Sequence, residues 1–112
     1  MSTTPEGKVK DRVKRILKAT AGVYYHCPVQ NGMGMPSLDF IGCCHGLYFG
    51  IETKAPGKKP TERQRGTMSQ IEAAGGKVFV IDGAEESYAE LADWLVDAAL
   101  RMELGAGADR AR

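Results

Sequence analysis

Two acidic residues and a lysine lie in short apolar segments near the middle of the chain, at spacings that suit metal-ion chemistry. Asp39 stands near the start of one segment, and Glu52 and Lys54 close the next one as a Glu-x-Lys pattern. Residues two apart in a β-strand share a face, so Glu52 and Lys54 point to the same side. Carboxylates bind hard cations, and a neighbouring ammonium can hold a water and neutralise charge that develops on a phosphate.

The sequence His45-Gly46 between the two segments predicts a two-residue hairpin turn, because both residues tolerate positive φ better than most. Strands joined by this turn bring Asp39 directly opposite Glu52. The Cβ atoms of opposed residues are about 4.5–5.5 Å apart, where like charges repel. We therefore predict a divalent-metal site at Asp39 and Glu52, where oxygen ligands favour Mg²⁺ or Mn²⁺ over Zn²⁺. The alternative is a pair of solvated carboxylates neutralised by the ammonium of Lys54 instead of by a metal ion.

Length and composition indicate one globular domain with a modest core. The chain has 112 residues, of which 43% are hydrophobic and 26% charged. No apolar run approaches the about 20 residues that span a membrane, and the N-terminus lacks the apolar core of a signal peptide. The three cysteines are odd in number, so we expect a reducing, cytoplasmic location.

The small net charge of +1 hides an asymmetry between the two halves of the chain. Residues 1–66 hold 11 Lys/Arg and 5 Asp/Glu, whereas residues 67–112 hold 4 Lys/Arg and 9 Asp/Glu. A basic half that also carries the predicted metal site suits a polyanion. Solvated charged faces explain the bias equally well. The candidate phosphate contacts beside the site are Lys58, Lys59, Arg63 and Arg65.

The N-terminal half is predicted to form a helix followed by three strands. Thr3 or Thr4 can cap the helix, and Glu6 falls on its inward apolar stripe. A first strand is predicted over residues 23–29 and a loop over 30–36, after which the hairpin supplies two more strands.

The C-terminal half is predicted to contain two helices and one strand. A capping box that begins at Thr61 opens the second helix, and a β-branched run over 77–81 predicts a buried fourth strand. Asp82 is the predicted N-cap of a last helix that ends near Met102, and residues 105–112 are a predicted flexible tail.

This α-β-β-β-α-β-α order predicts an α/β fold. The long connection between the third and fourth strands indicates a parallel pair crossed by a helix, hence a mixed four-stranded sheet flanked by helices. One domain over residues 1–104 is expected.

The chain resembles the PD-(D/E)XK nucleases, which have a restriction-endonuclease-like core. The resemblance lies in the order of elements, in the acid on the second strand, in Glu-x-Lys on the third strand and in Thr-x-x-Gln at the start of the next helix. More narrowly, residues 6–81 resemble the stand-alone virus-type replication-repair nuclease (VRR-NUC) domain. The Ser37-Leu38 pair departs from the residues that often precede the acid in this family. The matching segments are Met35-Pro36-Ser37-Leu38-Asp39, Phe49-Gly50-Ile51-Glu52-Thr53-Lys54 and Pro60-Thr61-Glu62-Arg63-Gln64.

The resemblance implies a metal-dependent DNA endonuclease in phage-type replication, recombination or repair, acting on branched or four-way-junction DNA. It implies that Asp39, Glu52 and the main-chain carbonyl of Thr53 bind Mg²⁺ or Mn²⁺, and that Lys54 positions the attacking water. A homodimer presenting two such sites to a junction is compatible with the small size of the domain.

Two further residues have both a site role and a local explanation. The resemblance makes Glu6 an additional ligand or an outer partner of the metal, but a first-turn acid also suits the helix dipole. It makes Gln64 a support for Lys54 or for a phosphate, but a capping box explains Gln64 fully.

Three other interpretations stay open. The chain could be a nucleic-acid-binding module that does not cleave, or a metal hydrolase of small phosphoesters, although no glycine-rich phosphate loop is present. Cys43-Cys44-His45 could bind zinc, but adjacent cysteines lack the usual spacing of zinc ligands. His26 is predicted to be an ordinary strand residue.

Overall fold

The computed structural model describes residues 2–30 and 36–110, with side chains described as far as residue 103. Met35 and most of the predicted loop 30–36 lie outside the described residues. The predicted order of elements is confirmed. The elements are α1 (Pro5–Ala19), β1 (Val23–His26), β2 (Phe40–Cys44), β3 (Leu47–Thr53), α2 (Glu62–Ala73), β4 (Lys77–Ile81) and α3 (Glu85–Arg110).

The four strands form one mixed sheet in the order β1-β2-β3-β4. Neighbours β1–β2 and β2–β3 are antiparallel, whereas β3 and β4 are parallel. A parallel pair cannot be joined by a tight turn, and α2 provides the crossover between them. The predicted α/β class and mixed sheet are therefore confirmed.

The hairpin turn has the predicted geometry. His45 and Gly46 have φ angles of 50° and 85°, the positive values that match a two-residue turn to the twist of its strands. Phe40 consequently pairs with Ile51. Asp39 precedes Phe40 and Glu52 follows Ile51, so the two acids lie just beyond this last pair of the ladder, with Asp39 outside β2.

Helices cover both faces of the sheet. Helices α1 and α3 pack on one face, and α2 lies over part of the other, where Ile71 approaches Gly50. Burying each large apolar side chain contributes about 1.5–3 kcal/mol to folding, so this core holds the strand ends in fixed positions. Its buried side chains include Val9, Val13, Leu17, Phe40, Phe49, Ile51, Phe79, Ile81, Tyr88, Leu91 and Leu95.

An ion pair fixes α1 against α3. The Arg12 guanidinium donates to both carboxylate oxygens of Glu85, each at 2.7 Å, and lies 4.0 Å from the centre of the Tyr88 ring. This bidentate geometry limits sliding of α1, the helix that carries Glu6.

Two strand predictions need correction. Strand β1 ends at His26 rather than at residue 29, and Pro28 explains the difference because it has no N–H to donate to a ladder. Strand β4 is buried only at Phe79 and Ile81, while Val80 is 39% exposed. As the edge strand, β4 is only partly covered on the side of α2.

The prediction for α3 is wrong at both ends. Asp82 does not cap the helix; its Oδ1 accepts the N–H of Ala84 at 3.1 Å in a turn before Glu85. The helix, predicted to end near Met102, continues to Arg110, and the last two residues of the predicted tail 105–112 lie outside the described residues. A helical glycine costs about 1 kcal/mol relative to alanine but does not end a helix by itself.

No helix of the described residues is long and apolar enough to cross a membrane.

Candidate active site

Asp39 is held in place by β3. Its Oδ2 accepts the main-chain N–H of Thr53 at 3.0 Å and the Thr53 hydroxyl at 2.7 Å. Asp39 Oδ1 lies 3.7 Å from Lys10 Nζ, and the Asp39 side chain is only 14% exposed. Thr53 thus fixes Asp39 Oδ2, whereas Asp39 Oδ1 has only the Lys10 ammonium at 3.7 Å and can contact a metal ion.

Glu52 is a buried carboxylate with one satisfied oxygen. Its Oε2 accepts the side-chain amide of Gln64 at 2.7 Å and lies 3.5 Å from Lys54 Nζ. Its Oε1 is buried and has no hydrogen-bond partner in the described part of the chain. Burial, followed by the nearby charge of Asp39, raises the pKa of Glu52 to about 7. Such an oxygen is costly unless a cation or another donor reaches it.

Lys54 lies on the same strand face as Glu52, as the sequence predicts. The Lys54 side chain is 13% exposed, so its ammonium is largely withdrawn from water. Its main-chain N–H donates to the carbonyl of Ile81 at 2.9 Å, which fixes the backbone where β3 ends. The ammonium can therefore interact strongly with an anion that enters beside Glu52.

Gln64 forms the predicted capping box and also contacts a carboxylate of the site. Its Oε1 accepts the N–H of Thr61 at 2.8 Å, and its own N–H donates to the Thr61 hydroxyl at 3.2 Å, which completes the capping box. Its Nε2 donates to Glu52 at 2.7 Å. The contact is thus with the carboxylate Glu52, rather than with Lys54 or a phosphate.

Glu6 lies beside the inward stripe of α1 rather than on it. Its side chain is 43% exposed, and its Oε2 lies 3.7 Å from Lys10 Nζ. The buried stripe begins at Val9, and four residues separate Glu6 from Lys10, which places these two side chains together. Glu6 therefore faces the site from its edge, through Lys10.

All five predicted catalytic residues line one open cavity of about 460 Å³, which we call the acidic cavity. Sequence reasoning missed several of its residues, among them Lys10 and Lys14. The spacing of four between Glu6, Lys10 and Lys14 was the available signal. The cavity is lined by Glu6, Lys10, Lys14, Cys27, Pro28, Gln30, Asp39, Phe40, Glu52, Lys54 and Gln64.

The predicted DNA-contacting residues lie outside the acidic cavity. Lys58, Lys59, Arg63 and Arg65 are exposed between β3 and the first turn of α2. Arg65 donates to the carbonyl of Pro60 at 2.7 Å. These residues could extend a substrate path but do not reach the carboxylates.

A second, larger cavity of about 680 Å³ lies between the hairpin and α2. Its described lining includes Ile41, Leu47 and Ile71 but no carboxylate or lysine. Its size alone does not make it the site of ionic chemistry.

The donor set fits a hard cation better than zinc. Among the described side chains, no three His, Cys, Asp or Glu form a group able to hold a metal. Cys43 is exposed and Cys44 is buried, as expected for adjacent strand residues that point apart. Asp39 and Glu52 instead offer two carboxylates, one with an orphaned oxygen, and Mg²⁺ commonly takes one or two carboxylates and keeps several waters. The Thr53 carbonyl stays a predicted ligand.

Comparisons with known proteins agree with this architecture. No protein-family model matches the chain, and no curated protein matches it. Among solved structures, a chain described as "VRR_NUC domain" is similar over 85% of this chain and 97% of its own length, with a TM-score of 0.64 and 23% sequence identity. The chain therefore has the fold of a VRR-NUC domain, as the sequence resemblance predicts.

Proposed function

We propose that this chain is a metal-dependent DNA endonuclease that hydrolyses phosphodiester bonds, with branched or four-way-junction DNA as its substrate. The observation that carries the proposal is the meeting of Asp39, Glu52 and Lys54 in one cavity, with Glu52 Oε1 buried and unpaired. The VRR-NUC fold supports a nuclease-type domain. A homodimer would present two acidic cavities to a junction.

Asp39 and Glu52 would hold the Mg²⁺ or Mn²⁺ ion, with the Thr53 carbonyl as a further ligand. When bound, the ion supplies Lewis-acid neutralisation of charge on the phosphoryl oxygens. Thr53 fixes the carboxylate of Asp39, and Gln64 fixes that of Glu52, at 2.7 Å in both cases. Ligands oriented in this way lose little freedom when they bind an ion.

Lys54 would orient the water and stabilise the reacting phosphate. Its ammonium is partly desolvated and paired with Glu52 at 3.5 Å, longer than a hydrogen bond. It therefore keeps donors for a water and a phosphate oxygen. Attack in line by this water forms the new P–O bond as the bond to the leaving oxygen breaks.

A panel of DNA substrates tests the proposal. Duplex, flap, single-stranded and four-way-junction DNA are incubated with the protein in Mg²⁺, Mn²⁺ or EDTA, and products are resolved on denaturing gels. We expect cutting in either metal, no cutting in EDTA, and the fastest cutting on a branched substrate. Binding without cutting in both metals would favour the non-cleaving module, whose support is the exposed basic set Lys58, Lys59, Arg63 and Arg65.

Gln64→Leu should lower metal affinity and activity by more than its loss of α2 stability would explain. The change removes the amide that fixes Glu52, and loss of such an outer partner costs about 10- to 100-fold in metal affinity or activity. It also removes the side-chain oxygen that accepts the Thr61 N–H in the capping box, and one such hydrogen bond contributes about 0.5–1.5 kcal/mol to stability. Mg²⁺ titration and urea unfolding measure the two effects.

Thr61→Ala is the matched control, because it removes the capping hydroxyl and leaves the Gln64 amide in place. We expect a similar loss of stability with nearly unchanged metal affinity. Equal metal affinities in the two variants would mean that Gln64 acts only as a cap.

A further inference from the structure

Two lysines of α1 line the acidic cavity without an assigned role. Lys10 Nζ lies 3.7 Å from both Glu6 Oε2 and Asp39 Oδ1. Lys14, one helical turn further on, is half-buried and lines the same cavity. We call Lys10 and Lys14 the α1 lysine pair.

The pair retains unused hydrogen-bonding capacity. At 3.7 Å, the contacts of Lys10 are ion pairs longer than hydrogen bonds, and 37% of its side chain is exposed. Within the described side chains, no carboxylate lies within 4.0 Å of the Lys14 ammonium. Each ammonium has three N–H donors, so both lysines can donate hydrogen bonds to an incoming anion.

The acidic cavity needs such positive charge before it can admit DNA. Glu6, Asp39 and Glu52 repel a phosphodiester, and the single charge of Lys54 balances only one of these three carboxylates. The α1 lysine pair supplies the remaining positive charge of the described lining. A strand that approaches the carboxylates therefore meets its attractive contacts on α1.

The spacing of the pair suits a nucleic-acid backbone. Residues four apart on a helix are separated by about 6 Å along its axis. Phosphates of one DNA strand follow at a rise of about 3.4 Å. Two lysine side chains that leave the helix at this spacing can reach phosphates one or two nucleotides apart.

We propose that Lys10 and Lys14 form a phosphate-binding subsite for the DNA strand next to the scissile phosphate. The inference rests on the proposed function and extends it to α1, on the face of the sheet opposite α2. The strand is then held from two sides, by the α1 lysine pair and by the basic residues before and within the first turn of α2.

Binding measurements separate this role from that of ordinary solvated lysines. Lys14→Met keeps the aliphatic stem, removes the charge and touches no described carboxylate. Lys8→Met is the matched control, because Lys8 is exposed on the same helix and does not line the cavity. Affinity for a duplex and for a four-way junction is measured by fluorescence anisotropy in EDTA at several salt concentrations.

The expected result is a lower salt dependence for the subsite variants alone. Each lost phosphate contact should reduce the slope of log K against log salt by about 0.9, so Lys14→Met loses about 0.9 and Lys10→Met with Lys14→Met about 1.8. Lys8→Met should keep the wild-type slope. Thermal unfolding of each variant confirms that it is folded.

The outcomes separate the subsite from the proposed function. Equal slopes for Lys14→Met and Lys8→Met would overturn the subsite, even if the wild-type protein cuts DNA. A selective loss of slope would support the subsite, even if no cutting is seen in Mg²⁺ or Mn²⁺ and the nuclease proposal fails. Absence of DNA binding by the wild-type protein would overturn both.

Discussion

Asp39→Asn is expected to lower Mg²⁺-dependent cleavage by about 10²–10³-fold without unfolding the protein, because loss of one group that stabilises transition-state charge, here the ion that Asp39 would hold, costs about this much. The asparagine carbonyl can still accept from the N–H and hydroxyl of Thr53, so the end of β3 keeps its contacts. The side chain loses the negative charge that would attract the ion. Single-turnover cleavage and Mg²⁺ affinity should therefore fall together.

Lys54→Met is expected to show a similar loss of rate by a different route. Methionine retains most of the aliphatic stem but lacks the ammonium that would orient the water. Because Asp39 and Glu52 remain, metal affinity should not fall. The rate at saturating Mg²⁺ and substrate should drop, whereas the Mg²⁺ concentration for half-maximal rate should not rise.

The matched controls make the same Asp→Asn and Lys→Met changes at positions outside the acidic cavity. Asp82→Asn preserves a side-chain oxygen for the turn at Ala84, and Lys77→Met alters a half-buried lysine at the start of β4. Both should cut at close to the wild-type rate. Cleavage by Asp39→Asn or Lys54→Met within about threefold of these controls would contradict the assigned roles.

The hairpin could be predicted because its information is local. His45 and Gly46 permit positive φ, and the turn then fixes every pair along β2 and β3. The last pair of this register, Phe40 with Ile51, is adjacent to Asp39 and Glu52, so the register brings both acids to the same end of the hairpin. The same holds for the capping box at Thr61, which identifies the start of α2 and so brings Gln64 to the end of β3.

The contribution of α1 could not be predicted in the same way. Whether Lys10 reaches Asp39 depends on how the helix crosses the end of the sheet, a distance of 29 positions in sequence. That crossing is set by packing of the α1 stripe and by the ion pair of Arg12 with Glu85. Helical spacing relates Glu6 to Lys10 but does not relate either residue to the sheet.

The ends of β1 and α3 show the limits of pattern alone. Apolar residues beyond His26 favour a longer strand, but the missing N–H of Pro28 limits pairing. Asp82 has N-cap spacing, yet its side chain is used by the preceding turn. In both places the residue pattern permits two conformations, and the backbone hydrogen bonding, rather than the pattern, distinguishes them.

Glu52→Gln is expected to remove a pH dependence from the stability of the metal-free protein. Burial and Asp39 raise the pKa of Glu52 from 4.5 to about 7. Since the folded state binds the proton more tightly, the stability due to Glu52 is full below pH 4.5. It is lost as the pH rises through about 7, and the difference amounts to about 3 kcal/mol.

Urea unfolding in EDTA between pH 4.5 and pH 8 measures this effect as the difference between wild type and variant, which cancels other titrating groups. The exposed Glu72→Gln serves as the control and should retain the wild-type pH dependence.

Mg²⁺ at 100 times its Kd should restore about 2.7 kcal/mol to the wild type at pH 8 and little to Glu52→Gln. A wild-type curve parallel to that of Glu52→Gln, with no response to Mg²⁺, would mean that the buried Oε1 is not a ligand. If the wild type does respond to Mg²⁺, the carboxylate that destabilises the metal-free fold is also the group that binds the ion. The cation then neutralises a buried negative charge that has no other partner.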